Sequence, residues 1–464
     1  MPCYHLPLFG QPQDVAYIYT MKKHLLLIAF LLPGMVLTAQ HQKELYTRIT
    51  NDIVRYFETS QYDSIAVYFD STMKARLTPE VLEQTMAGLN KVYGDFESAR
   101  EGVVEELGER WMSRTPMKFA KSMMILSITF DKQDRISGLF ISPQAGIYSI
   151  PSYVKSLSFL ETKIDFGKED WKLKGTLTYP RDENRHPLVI IVHGSGPMDR
   201  DGSTGNSKIY RDLAWGLATK GIAVFRYDKR SFLHGNKLYM ETYKGHSYTP
   251  QDEIVDDAVE AIRLLGTNSH VDPSRIFIVA HSQGGMMAPE IIRLSGKLKG
   301  AVLLAANARP LQDLLLEQMA YLYDGQSLSY KEYEQVEQLK RQAAFAKKKK
   351  LAPDTPTDSL PFNVSPAYWN YLNQYDQVKT FSKLTLPVLI LQGERDYQVT
   401  MTDFRIWEKA ASKRKGKTDV ITYPKLNHLF ISGEGRSVPS EYQIQGNMDE
   451  TVVNDIVNWI NKQK

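Results

Sequence analysis

The spacing of apolar positions divides the chain into two stretches of different character. From residue 41 to about 145, helical spacing comes first. Leu45, Ile49, Ile53 and Phe57 recur every four residues and so share one helix face. Thr78-Pro79-Glu80 reads as a helix start, with a hydroxyl cap, a proline in the first turn and then an acid. Leu82, Met86, Leu89 and Tyr93 give that helix its buried face. After Gly94 the pattern changes, and "MMILSITFDKQDRISGLFIS" predicts two strands turning at Asp131-Lys132-Gln133-Asp134. Helices followed by antiparallel strands make residues 41–145 a small α+β domain. It holds no constellation of catalytic side chains, so an accessory or packing role is expected.

Residues 146–158, with Pro151 and several serines, read as a linker. From 159 to 464 short apolar strands alternate with amphipathic helices. "LKGTLTYP" and "HPLVIIVHG" precede a helix with Tyr210, Leu213, Ala214 and Leu217 on one face, stopped at Gly221. "IAVFRYD", "RIFIVA", "GAVLLAA", "LPVLILQG" and "TDVITYP" follow as further strands, and Val453, Ile456, Val457 and Ile460 mark the closing helix. Nearly continuous apolar strands between such helices predict an α/β fold, a mostly parallel sheet covered on both faces. One long, largely helical insertion, about 308–384, separates "GAVLLAA" from "LPVLILQG". It is placed to act as a cap over the strands' carboxyl ends. Tyr368, Trp369 and Tyr375 within it either line a pocket or pack the cap onto the body, and packing is the commoner fate of such aromatics.

Composition narrows the function classes. A hydrophobic content of 42% and a charged content of 24% are those of an ordinary globular protein. A net charge of +4 over 464 residues, with no basic stripe, argues against nucleic acid as a partner; Lys347 to Lys350 read as a solvated helix end. From Met21, "MKKHLLLIAFLLPGMVLTAQ" has the layout of a secretory signal peptide at 21–39: basic Lys22 and Lys23, an apolar run from Leu25 to Leu32, then Ala39. The run is too short for a stable membrane span. Residues 1–20 read as an upstream extension that is not part of the native protein, with translation expected to begin at Met21. An exported protein, periplasmic or extracellular, is therefore expected. The only cysteine is Cys3, so the mature chain has no thiol nucleophile and no disulfide. No histidine or acid spacing suggests a metal, and no cofactor is expected.

The chemistry centres on "VAHSQGG". Ser282 lies between a strand and a helix, and a nucleophile on such an elbow needs small residues two positions either side; these are Ala280 and Gly284. Pro289 in the following helix removes a backbone donor and predicts a kink. A serine nucleophile needs a base and the base an orienting acid, here in the order serine, acid, histidine. His428 is the only histidine after "LPVLILQGERDYQV", and the acid is Asp396 or its rival Glu394. His281, beside the serine, should point away from its hydroxyl. The oxyanion needs two backbone donors: Gln283 N–H, and Ser195 N–H from "HGSG", with Gly196 as the alternative.

Residues from about 160 to the end resemble α/β-hydrolases of the bacterial esterase and serine-aminopeptidase-like group. The stretches carrying the resemblance are "VHGSGPMDRDGS", "FRYDKRS", "VAHSQGG", "LPVLILQGERDYQV" and "NHLF". In "FRYDKRS" a serine stands where relatives often have glycine, and Asp228 and Arg230 are expected to form a structural ion pair. The resemblance implies an α/β-hydrolase fold with Ser282 as nucleophile, His428 as base and Asp396 as acid, the last from the Gly393-to-Asp396 spacing. It also implies hydrolysis of small-molecule acyl esters. A peptidase or aminopeptidase on the same fold is the alternative, and a non-catalytic binding protein a third. The first domain resembles the uncharacterised domain that precedes some secreted bacterial α/β-hydrolases.

Overall fold

The computed structural model describes residues 40–107, 110–120, 122–144, 148–243, 248–325 and 328–463. Cys3, the leading extension and the signal segment lie outside them. The chain forms two compact units, one ending at Ala145 and one beginning at Gly146.

In the first unit a helix over 40–58 and helices Tyr62–Ala66, Ser71–Arg76 and Pro79–Tyr93 precede five strands. Thr78 caps the last helix, its side chain accepting from Val81 N–H, with Pro79 in the first turn. The strands are β1 (Phe96–Ala99), β2 (Val103–Leu107), β3 (Arg110–Phe119), β4 (Ser122–Phe130) and β5 (Ile136–Pro143), in one antiparallel sheet. Met124, Leu126, Ile128 and Phe130 of β4 are buried at every second position, against Ile49, Ile53 and Phe57 of the first helix. Asp131 closes the hairpin by accepting from the backbone of Gln133 and Arg135.

The second unit carries β6 (Phe159–Phe166), β7 (Leu173–Pro180), β8 (His186–Val192), a two-residue hairpin of β9 (Ser203–Thr204) and β10 (Ser207–Lys208), β11 (Ala223–Tyr227), β12 (Val271–His281), β13 (Gly300–Leu304), β14 (Val388–Gly393) and β15 (Thr418–Tyr423). Eight of them form one sheet in the order β15-β14-β13-β12-β8-β11-β7-β6. The six from β15 to β11 run parallel; β7 is reversed and pairs antiparallel with β11 on one side and with the edge strand β6 on the other.

Alternate residues of each central strand feed two separate cores. Leu188, Ile190 and Val192 of β8 join one core with helices Asp256–Leu265 and Gln283–Ser295. Val189 and Ile191 join the other with helices Ile209–Thr219 and Glu450–Lys462. A strand buried on both faces has no polar side, which is why its sequence is continuously apolar. Helix Gln283–Ser295 runs in one piece with Pro289 inside it. Between β13 and β14 the insertion supplies helices Leu311–Tyr323, Tyr330–Ala346, Pro366–Gln374 and Gln377–Ser382.

Candidate active site

The turn between β12 and its helix puts Ser282 at φ 55°, ψ −121°, a conformation that costs a side-chain-bearing residue strain. Ser282 N–H donates to Leu304 O (2.9 Å), and Ser282 O accepts from Met286 N–H (3.0 Å), so both sides of the turn are fixed. The approach leaves no space for larger neighbours. A Cβ on Gly284 would lie 2.4 Å from His193 O, and one on Gly285 2.5 Å from Ala306 Cβ. Ala280 is fully buried.

The loop after β8 passes directly against the serine: a Cβ built on Gly194 would lie 3.6 Å from Ser282 Oγ. Ser195 and Gln283 line the same cavity as Ser282 and His428. Gln283 opens its helix, so its N–H has no acceptor within that helix. These are the positions the sequence offers for oxyanion donors.

Asp396 follows β14 and is buried. Its Oδ2 lies 2.7 Å from His428 Nδ1, and its Oδ1 accepts from the backbone of Gln398 (2.8 Å) and Val399 (2.9 Å). Glu394 is exposed and accepts instead from Thr422 Oγ1 at 2.7 Å. Asp396 is therefore the acid in contact with the imidazole. His281 turns away from the cavity serine into a buried chain. Its Nε2 donates to His428 O (2.9 Å) and its Nδ1 accepts from the Tyr210 hydroxyl (3.1 Å), which accepts from Gly194 N–H (3.1 Å). Only neutral imidazole can both donate and accept in this way. Burial, with the nearby His428 adding to it, pushes the His281 pKa down to about 3.

The cavity has a volume of about 770 Å³, and Leu311, Leu314, Leu315, Phe362 and Val364 of the insertion give it an apolar wall. Tyr368 and Trp369 line it and are also buried packing residues. Tyr375 is not part of the wall; its hydroxyl donates to Met286 O at 3.2 Å. Among the described residues no cluster of histidine, cysteine or acid could hold a metal.

Asp228 and Arg230 do not pair with each other. Asp228 takes Arg200 (Nη2–Oδ2 2.6 Å, Nε–Oδ1 3.0 Å), and Arg230 takes Asp257 (Nη2–Oδ1 2.5 Å, Nε–Oδ2 3.1 Å). The residue between them, Lys229, is the one that reaches the site, and sequence reasoning passed over it. Its ammonium donates to Gly194 O (2.8 Å) and Gly196 O (3.1 Å) and lies 3.1 Å from Glu253 Oε1. Burial alone would push the Glu253 carboxyl up; the Lys229 charge brings it below the ordinary glutamate value.

Fold and site together define a serine hydrolase of the esterase or peptidase type on an α/β-hydrolase fold. The chain belongs to the family described as "Serine aminopeptidase, S33", which matches residues 183–434. Residues 51–139 match a second family, "Protein of unknown function (DUF3887)". The chain is 33% identical over 412 residues to esterase EstD of Thermotoga maritima, covering 88% of this chain and 94% of that protein. It is 23% identical over 271 residues to the uncharacterized peptidase YuxL of Bacillus subtilis, covering 57% of this chain and 35% of that one. Among solved structures, Est1E of Butyrivibrio proteoclasticus is similar at 16% identity and a TM-score of 0.40, covering 65% of this chain and 98% of that one.

Proposed function

We propose that the protein is an exported carboxylic ester hydrolase working through an acyl-enzyme. Ser282 is the nucleophile, His428 the base and Asp396 the acid that orients it. With Nδ1 of His428 held by Asp396, Nε2 is left to take the Ser282 proton as Oγ attacks the ester carbonyl carbon. The negative oxygen that forms is held by the N–H groups of Gln283 and Ser195. Collapse breaks the bond to the alcohol oxygen, which leaves with the proton from His428. A water then repeats the sequence on the acyl-enzyme and releases the acid. Each preorganised oxyanion donor contributes a factor of about 10²–10³ in such reactions.

The observation that carries the ester reading is the chemistry of the cavity wall. It is largely apolar, and Glu253 is the only carboxylate among its described residues. An aminopeptidase needs an acid free to bind the substrate's ammonium, and Glu253 is already neutralised by Lys229. The name of the matched family supports the peptidase alternative. A fluorophosphonate should label Ser282, located by peptide mass spectrometry, and should not label the Ser282→Ala protein. Hydrolysis of p-nitrophenyl esters should exceed that of aminoacyl p-nitroanilides by at least about a hundredfold; the reverse order would replace the ester reading by the peptidase one. Export rests on the signal-like segment 21–39. A mature N-terminus just after Ala39 is expected, and a protein retaining Met21 would overturn it.

A further inference from the structure

We infer that Lys229 is a positioning residue of the oxyanion hole: by gripping two carbonyls of the loop after β8 it fixes Ser195 N–H as the second donor. This rests on the serine-hydrolase reading of Ser282. An ammonium this deeply buried is costly unless each of its three protons has an acceptor. Lys229 is 1% exposed, and Gly194 O, Gly196 O and Glu253 Oε1 account for all three.

The selection follows from peptide geometry. In a trans peptide the C=O and the following N–H point in opposite directions. Drawing Gly194 O toward Lys229 turns the N–H of Ser195 to the other side of the loop. The second grip, on Gly196 O, orients no donor, because Pro197 follows and has no N–H. It clamps the far end of the loop instead. Gly194 N–H is already spent on the Tyr210 hydroxyl. Lys229 holds neither atom of the peptide that carries the Gly196 N–H. Of the three N–H groups in the loop, one is consumed, one is aimed and one is left unheld. The cation also polarises the peptide it grips, which strengthens Ser195 N–H as a donor.

The same ion pair reaches the first donor. Tyr368 Oη donates to Glu253 Oε2 (2.9 Å) and accepts from Gln283 Nε2 (2.9 Å), and all of these residues are buried. Gln283 is the residue whose backbone N–H opens the helix after the serine. One buried pair thus holds the loop on one side of the oxyanion and the elbow on the other, through a tyrosine on the inserted helix Pro366–Gln374.

The test is the double variant Lys229→Met/Glu253→Gln in the full chain, which removes both charges together and leaves no orphan ion. Active sites are counted by fluorophosphonate labelling. On p-nitrophenyl butyrate kcat should fall about tenfold to a hundredfold, less than the loss of a whole oxyanion donor, with KM within about twofold. Inhibition by a trifluoromethyl ketone, whose adduct with the serine carries the oxyanion, should weaken by the same factor. Tyr368→Phe, which removes the hydroxyl joining Glu253 to Gln283 and leaves the Lys229–Glu253 ion pair in place, should give a smaller loss of the same kind. If the double variant does not fold, Lys229→Gln carries the same measurements. A folded, labelled variant with unchanged kcat, or with reduced kcat and unchanged trifluoromethyl ketone affinity, would overturn the role of Lys229. Failure of the unmodified protein to be labelled at Ser282 would overturn the hydrolase reading itself.

Discussion

Replacing Ser282 by glycine and, separately, by alanine removes the hydroxyl in both cases but relieves the turn in only one. At φ 55°, ψ −121° the residue lies outside the small left-handed region open to ordinary side chains. Such positions cost about 1–3 kcal/mol, borne by any residue with a Cβ. Alanine keeps that cost and glycine escapes it. Against this, glycine loses about 0.4–1 kcal/mol through the greater freedom of its unfolded chain. Glycine should therefore be more stable than alanine by about 1 kcal/mol. In a unit of this size that is roughly 2 °C in Tm. Both proteins should be devoid of esterase activity, so the comparison is free of any effect of turnover. Scanning calorimetry at neutral pH, following the transition of the hydrolase unit, gives the difference directly. A glycine variant that melts at or below the alanine variant would show that the elbow is unstrained. The conformation of Ser282 would then be no evidence that the chain gives up stability to present a nucleophile.

Three further outcomes are expected. Asp396→Asn should reduce ester hydrolysis by a factor on the order of 10²–10⁴, because the imidazole loses its fixed orientation and the partner for its positive form. Glu394→Gln, exposed and with its side chain bonded to Thr422, should leave activity within about twofold; a damaging Glu394→Gln beside a silent Asp396→Asn would reassign the acid. Stability should also depend on acid through His193 and His281. Burial lowers each to about 3, with the Lys229 charge adding to the effect at His193 and His428 at His281. A lowered histidine gives stability that is complete above its unfolded value near 6.5 and is lost as pH falls toward the folded value. The loss is on the order of 3 kcal/mol per histidine by pH 4. Urea midpoints that stay flat from pH 7 to pH 4 would contradict it.

What could be read from the chain depended on whether a signal is local. Val189 and Ile191 face one core and Leu188, Ile190 and Val192 the other, so β8 had to be apolar throughout and was visible as a strand. The requirement for small residues around Ser282 is equally local, because the clash would be with the adjoining strand and loop. Charge pairing is not local. Asp228 and Arg230 are two apart and look like partners, yet the chain sends them to Arg200 and Asp257 from other elements. Lys229 was hidden for the same reason: its acceptors lie 24 to 35 positions away, and no periodicity announces them. Tyr368 and Trp369 in helix Pro366–Gln374, and Tyr375 just after it, show the limit of a local signal. Spacing puts aromatics on a face, but only the packed neighbour decides which of them also borders a cavity.

The edge strand β6 bears on how copies of this protein meet one another. It has one hydrogen-bonded neighbour, β7, which leaves a row of backbone groups able to template strand addition. Along it, Glu161, Lys163 and Asp165 occupy alternate positions on one face, in the order negative, positive, negative. That order reads the same in both directions. A second copy added in parallel register would set Glu161 against Glu161. One added antiparallel about Lys163 would set Lys163 against Lys163 and Glu161 against Asp165. In both of these in-register pairings like charges face each other across the new ladder, which is unfavourable at each pair. The three charges thus disfavour the in-register pairings of this edge with its own copy, while a shift of two residues would set Glu161, already held by Arg226, against Lys163.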